Sequence, residues 1–195
     1  MIKGTSVRKP AHAIEPLFAD RWSPRAMSGA AVSESELLVL LEAARWAPSS
    51  MNFQPWRMLY TLRDTPSWPV FLDLLIDANR AWAQQAGAMV LFISRLQFDG
   101  TGGACRTHSF DTGAAWQNFA LQGWQSQLAV HGIQGFDYER ARSVLKIPEE
   151  YSVEAMAIVG RPGDRSGLPE KYQGRESPND RRPLRESVRE GLFSF

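Results

Sequence analysis

The stretch WAPSSMNFQPW, residues 46–56, places two serines, an asparagine and a glutamine between two tryptophans. A plain surface loop does not need the tryptophans, and a plain core segment is a poor place for hydroxyls and amides, because buried polar groups require hydrogen-bond partners. Bulky apolar anchors around small donors and acceptors indicate a segment that contacts something flat, apolar and capable of hydrogen bonding.

A helix is predicted directly before this stretch. Ser33 and Glu36 have the spacing of a capping box, and Val32 with Leu37 fits a hydrophobic staple. Apolar residues then recur at the helical period. Because Pro48 disfavours helical geometry at the residue before it, the helix should end there, and the opening motif should lie at its C-terminal end.

The rest of the chain alternates between helical and strand patterns without a strict βαβ rhythm. Continuous apolar runs are typical of buried strands, and periodic runs are typical of helices. Strands are predicted over 57–62, 88–96 and 153–160, with a short strand or turn over 132–136; helices are predicted over 68–87 with an interruption near Asn79, over 110–130, and from an N-cap at Asp137 to Pro148. This order favours an α+β layered fold.

The length of 195 residues suits one domain, residues 1–195, with a core of its own. Residues 1–20 are expected to form an N-terminal extension. The C-terminal segment, residues 161–195, is polar and rich in Pro and Arg. Since it has few apolar anchors, we expect it to wrap the surface of a partner chain.

Composition excludes several functional classes. A formal net charge of +1 gives no support to a nucleic-acid partner. The single cysteine, Cys105, permits no internal disulfide, and three scattered histidines show no metal-ligand spacing. The longest apolar run is too short to span a bilayer, and no apolar region follows the first residues. We expect a cytoplasmic protein without metal, membrane or nucleic-acid partners.

A glycine-rich stretch, GTGGAC at residues 100–105, follows the predicted strand 88–96. A dinucleotide-binding fingerprint requires a third glycine where Cys105 stands, and a helix that opens directly from the glycines. Both are missing, so a flexible loop is the better interpretation.

Two arginine-containing segments suit an anion. RWSPR places Arg21 and Arg25 on either side of a serine hydroxyl, and a second pair, Arg181 and Arg182, lies near the C-terminus. Arg binds phosphate through two parallel hydrogen bonds. Solvated surface charge is the alternative for each pair, and the pairs become informative only if they converge on one anion.

No side-chain catalytic machinery is recognisable. His108 and His131 have no nucleophile context, and no pair of carboxylates stands out from surface charge. Asn79 and Trp82 share a helix face; core packing explains the tryptophan, whereas the asparagine needs a partner. If the protein is an enzyme, its reactive group therefore belongs to a bound cofactor.

Taken together, these segments resemble the FMN-dependent nitroreductase family over nearly the whole chain, and they occur in the order of that family. They are RWSPR, ARWAPSSMNFQPW, an N..WA..A segment before an apolar strand, DTGAAWQNFAL, GIQGFD, AIVGRP and RRPL. The resemblance implies an α+β fold with a central, mostly antiparallel sheet flanked by helices. It also implies an intertwined homodimer with FMN at the interface.

The resemblance assigns cofactor-binding residues. Arg21 and Ser23 would hold the phosphate and ribityl chain, Arg25 would approach the N1–O2 edge of the ring, and Arg181 and Arg182 would close on the phosphate. Pro48, Ser49, Ser50 and Asn52 would come from the other subunit and cover the ring. Asn79 would bond the pyrimidine edge or the ribityl chain with Trp82 nearby, and backbone groups of Gln134 and Gly135 would lie near N5 and O4. Trp22 and Gln54 complete the predicted set of cofactor-binding residues. Trp46 and Trp56 would be packing anchors.

The implied activity is ping-pong reduction of nitroaromatics, quinones or similar acceptors by NAD(P)H, with flavin N5 rather than a side chain carrying the chemistry. Gln127, Gln134 and Trp82 depart from residues common in the family, which bears on substrate and redox potential. Two alternatives stay open. One is the same fold with other flavin chemistry, such as dehalogenation, heterocycle oxidation or flavin breakdown; the other is a non-enzymatic flavin-binding protein.

Overall fold

The computed structural model describes residues 1–100 and 102–194, which divide into two compact units. The larger unit is Ser23–Glu176, and the terminal unit combines Met1–Trp22 with the residues from Ser177 onward. Thr101, in the predicted glycine-rich loop, and Phe195, at the end of the predicted C-terminal segment, lie outside the described residues. These boundaries differ from the expected segments 1–20 and 161–195.

The centre of the larger unit is a four-stranded antiparallel sheet, which confirms the predicted α+β fold. Its strands are β1 (Trp56–Leu62), β2 (Ala88–Arg95), β3 (Ala129–Ile133) and β4 (Tyr151–Gly160), in the spatial order β1-β2-β4-β3. Every residue of β2 before Arg95 is buried. This burial explains the continuous apolar run, since a strand covered on both faces does not alternate.

Helices cover both faces of the sheet. The described helices are α1 (Pro16–Asp20) in the terminal unit and α2 (Glu34–Arg45), α3 (Trp68–Leu72), α4 (Asp77–Ala83), α5 (His108–Gln125), α6 (Tyr138–Val144) and α7 (Glu170–Gln173) in the larger unit. Leu37 of α2 and Phe119 of α5 join the core that contains Val90 of β2. The adjacent Met89 of β2 joins the other core, which α3 and α4 cover. Across the described ranges, no helix is both long and apolar enough to cross a membrane.

The start of α2 agrees with the predicted capping box. The Glu36 N–H donates to Ser33 Oγ at 3.3 Å, and the Ser33 N–H donates to Glu36 Oε2 at 3.0 Å. The same carboxylate accepts a hydrogen bond from Arg161 Nη2 at 2.5 Å. The bonds from Ser33, and after them the bond from Arg161, lower the pKa of Glu36. The cap therefore joins the first helix of the larger unit to the residue that follows β4.

Three predicted helices have different ends in the structure. The helix predicted over 68–87 is interrupted before Asp77 rather than near Asn79, because Leu75 pairs with Phe136 in an isolated bridge. The helix predicted to reach Pro148 stops at Val144, and α5 stops at Gln125. The residues shortly beyond these last two ends, Lys146 and Gln127, have φ of 54° and 58°, a left-handed conformation that no helix continues through.

The first part of the C-terminal segment packs on its own chain. Pro162 forms a bridge with Met27, Leu168 is buried in the core, and Glu176 is buried against the backbone of Arg25. The expectation that residues from 161 onward lack anchors on their own chain is therefore wrong for 161–176. Wrapping of a partner stays a prediction for the residues after Glu176.

Candidate functional site

The residues that directly follow strand β3, together with helix α4, form the first part of the candidate site. The Asn79 Nδ2 amide donates to the Gly135 carbonyl at 3.0 Å, and the Ile76 N–H donates to the same oxygen at 3.2 Å. A Cβ atom at position 135 would lie 2.5 Å from Asn79 Nδ2, which explains the glycine. The structure thus brings Asn79 and Gly135 together and supplies the partner that a half-buried amide requires.

Trp82 lies one turn beyond Asn79 and is 1% exposed. Its ring centroid is 4.9 Å from that of His131 on β3. His131 Nδ1 lies 3.2 Å from the Pro24 carbonyl oxygen, so Pro24 lies beside the same strand. The buried Trp82 Nε1 has no hydrogen-bond partner among the described residues. Most buried N–H groups have a hydrogen-bond partner, so this one is an exception.

Arg25 is held in place by residues that the sequence did not single out. The N–H groups of Arg25 and Ala26 both donate to Glu176 Oε1 at 2.8 Å. The Arg25 guanidinium carbon lies 6.0 Å from the Trp82 ring centroid and 5.8 Å from that of Tyr172. Two aromatic faces at cation–π distance orient the guanidinium. No local pattern around Glu176 or Tyr172 could have revealed this, because both act across more than 140 residues.

A cavity of about 330 Å³ adjoins Arg25 and Trp82. Its volume lies at the lower end for small-molecule sites. Gln85 and Asp164 also line it. A guanidinium and an aromatic residue that line one cavity suit the edge of a flat heterocycle that carries hydrogen-bond acceptors.

The terminal unit contains a cluster of three cationic residues, Arg8, Arg21 and Arg181. The pKa of Arg21 is lowered by burial first, and then by the positive charges of Arg8 and Arg181. The buried Arg8 donates to the carbonyl oxygens of Arg21 at 2.6 Å and Asn179 at 2.7 Å. The pKa of Arg8 is lowered by burial first and then by the positive charge of Arg181, while the negative charge of Asp180 raises it. Three guanidinium groups held together in this way suit an anion.

This cluster contains one member of each predicted arginine pair, and binding of an anion there stays a prediction. Arg21 and Arg181 take part, and Arg8 joins them, whereas Arg25 belongs to the larger unit and Arg182 is exposed outside the cluster. Arg8 was missed because a lone arginine in a polar N-terminal stretch has no distinguishing signal. Trp22 is buried with Nε1 donating to the Ile2 carbonyl at 2.8 Å, and Ser23 is half-buried at the start of the larger unit.

The opening motif forms a short 3₁₀ turn, Ser50–Asn52, in an unusual backbone conformation. Met51, Asn52 and Gln54 have φ of 53°, 53° and 54°, a region that non-glycine residues occupy at a cost. A buried carboxylate holds the turn: Asp111 Oδ2 on α5 accepts the Ser50 N–H at 3.1 Å. It also accepts Thr107 Oγ1–H at 3.0 Å.

The motif presents its side chains outward rather than to its own core. Ser49 Oγ accepts the Gln54 N–H at 3.0 Å, and Pro48 and Asn52 are exposed. Trp56 is 5% exposed, as a packing anchor should be. Trp46 is 71% exposed, so its prediction as an anchor is wrong within one chain. Its Nε1 donates to Glu42 Oε1 at 2.9 Å, which fixes the ring in a solvent-facing position.

The fold is α+β; its larger unit groups guanidinium, amide and aromatic side chains that suit a flat ligand, and its terminal unit groups guanidinium side chains that suit an anion. Comparison with known proteins points to a family with this fold. The sequence profile described as the nitroreductase family matches residues 18–65. A solved oxidoreductase containing FMN is 40% identical, with a TM-score of 0.92 and 96% of each chain covered. A solved nitroreductase from Desulfovibrio desulfuricans, in complex with FMN, is 25% identical with a TM-score of 0.70, covering 91% of this chain and 96% of that one.

A curated Streptomyces coelicolor protein with the name NADH dehydrogenase/NAD(P)H nitroreductase is 37% identical over 79 residues. That match covers 40% of this chain and 39% of the relative. The similarity to the solved oxidoreductase extends over almost the whole of both chains. The chain belongs to the nitroreductase family.

Proposed function

We propose that the protein is an FMN-dependent oxidoreductase that takes reducing equivalents from NAD(P)H and reduces small nitroaromatic, quinone or similar acceptors. The observation that carries this proposal is the Arg25 guanidinium, oriented by Trp82 and Tyr172 at a cavity that Arg25 and Trp82 both line. Bound FMN would supply the hydride-accepting and hydride-donating centre. The FMN in the two solved relatives and the NAD(P)H in the curated relative's name support the choice of cofactor and donor.

Two groups of residues, one in each unit, are suited to different parts of the cofactor. In the terminal unit, the cluster of Arg8, Arg21 and Arg181 suits a phosphate, because a dianion would offset the burial and the positive charges that lower the pKa of Arg21. Arg25 suits the N1–O2 edge of the ring, where a cation stabilises negative charge. The Gly135 carbonyl already accepts two hydrogen bonds, so a contact from Gly135 to the cofactor would fall to its N–H.

We expect the purified protein to be yellow and to release FMN, not FAD, on denaturation. Absorbance and chromatography of the released cofactor measure this, and oxidation of NADH and NADPH is then followed with a nitroaromatic or quinone acceptor. Protein from which FMN has been removed is the control. A colourless protein that also fails to bind added FMN would refute the proposal. A yellow protein without NAD(P)H turnover would instead support a non-enzymatic flavin-binding role.

We expect a homodimer that brings the outward-facing motif of each chain onto the other. Large apolar side chains are exposed around it: Trp46 at 71%, Met51 at 87%, and Phe110 on α5 at 80%. Such a surface marks an interface, and obligate interfaces commonly bury more than about 2,000 Å². Sedimentation equilibrium at micromolar concentration measures the mass. A monomer that still holds FMN would contradict the dimer, and Met51→Glu is expected to weaken it.

A further inference from the structure

Helix α7 and the residues after it, up to Glu176, contact Arg25 at two points. Glu176 Oε1 binds the backbone N–H groups of Arg25 and Ala26, and the Tyr172 ring lies against the Arg25 guanidinium. The first contact fixes the main chain, and the second restricts where the cationic end of the side chain can lie. Only the second contact can act on the position of the charge.

The Tyr172 side chain is itself held from two sides. Its ring packs against the core of the larger unit, and its hydroxyl donates to the Ala78 carbonyl at 2.7 Å. Ala78 belongs to α4 and directly precedes Asn79, the residue predicted at the pyrimidine edge. Tyr172 therefore connects the Arg25 guanidinium to the helix that carries Asn79 and Trp82.

The contact with the ring limits the conformations of a long side chain. Arginine has many rotamers, and a half-buried guanidinium without fixed neighbours would spread over several of them. The Tyr172 ring centroid, 5.8 Å from the guanidinium carbon, is within the range of a cation–π interaction. At partly exposed sites such a contact changes an equilibrium by roughly twofold to fivefold. Removal of the ring would let the guanidinium move away from the edge of the cavity that Arg25 and Trp82 line.

We infer that Tyr172 is a positioning residue, which holds the Arg25 charge at the edge of the flavin and thereby strengthens the preference of the site for reduced FMN. The inference rests on the proposed function and on the placement of Arg25 at the N1–O2 edge, where negative charge appears on reduction. Tyr172 is not among the described residues that line the cavity of about 330 Å³, so its effect passes through Arg25.

Tyr172→Leu removes the ring and keeps an apolar side chain. We expect the preference for reduced over oxidised FMN to fall by about threefold to fivefold, which corresponds to about 14–21 mV in the two-electron midpoint potential. Tyr172→Phe retains the ring and loses only the hydrogen bond to Ala78, so it should recover most of this shift. Equilibration with a reference dye at saturating FMN measures each potential.

Lys171→Ala is the matched control. Lys171 is the adjacent residue of α7, it is exposed, and its ammonium lies 5.0 Å from the centroid of the same Tyr172 ring. Because water screens this charge, the variant should change the preference for reduced FMN by less than about twofold. A shift equal to that of Tyr172→Leu would show that the positive charge around α7, not the ring, sets the potential, and the inference would fail.

The double variant Arg25→Ala/Tyr172→Leu separates an effect through Arg25 from a direct one. Removal of the ring should produce no further shift once the guanidinium is gone, so the two changes should not add. A further shift of full size overturns the inference. An unshifted potential in Tyr172→Leu, or in Tyr172→Met if the leucine variant does not fold, also overturns it and leaves the proposed function standing. Failure of the wild-type protein to bind FMN overturns both.

Discussion

Arg21→Ala is expected to weaken FMN binding by about 10- to 100-fold, since a hydrogen bond to a charged group contributes about 1.5–3 kcal/mol. In the protein without an anion, burial and the charges of Arg8 and Arg181 all act against the Arg21 cation. A phosphate reverses this balance. The increase in melting temperature on adding FMN should therefore be smaller in the variant than in wild type.

Arg182→Ala is the matched control for this prediction. Arg182 is the next residue to Arg181 but is exposed outside the cluster. Titration of the apoprotein with FMN at low salt, followed by flavin fluorescence, gives the dissociation constant of each variant. Equal losses in Arg21→Ala and Arg182→Ala would show that general positive charge, not the cluster, binds the phosphate.

Arg25→Ala is expected to lower the two-electron midpoint potential of bound FMN by roughly 30–60 mV. Reduction places negative charge at the N1–O2 edge, so removal of a cation there destabilises the reduced flavin more than the oxidised one. A loss of about 1.4 kcal/mol in this difference corresponds to about 30 mV for two electrons. The backbone should stay in place in the variant, because Glu176 binds the N–H groups of residues 25 and 26 and not the guanidinium.

Two comparisons make the potential measurement specific. Arg25→Lys should recover part of the shift, since the charge persists while the planar fork between Trp82 and Tyr172 is lost. Arg21→Ala should leave the potential almost unchanged, because a phosphate contact is the same in both redox states. Equilibration with a reference dye at saturating FMN gives each potential. An unshifted value in Arg25→Ala would remove this residue from the ring edge.

The local sequence was sufficient to predict the structure of a segment where that segment contains all the interacting groups. Ser33 and Glu36 bond each other across one helical turn, so their spacing predicts the start of α2. The run AMVLFIS predicts a strand covered on both faces, and β2 is that strand. The motifs and their order along the chain were enough to identify the family, and with it the antiparallel sheet, because both can be compared without knowing the structure.

Only the tertiary structure could show the features that depend on contacts between residues far apart in the sequence. The break before α4 follows from the bridge between Leu75 and Phe136. The cluster of arginines joins Arg8 to Arg21 and Arg181, and Glu176 holds the backbone at Arg25. Trp46 looks like an anchor in sequence, yet its exposure depends on where the chain turns after α2. The physical reason is the same in each case. A hydrogen bond or a charge interaction depends on distance in space, and only the closed fold determines which distant residues come within a few ångströms.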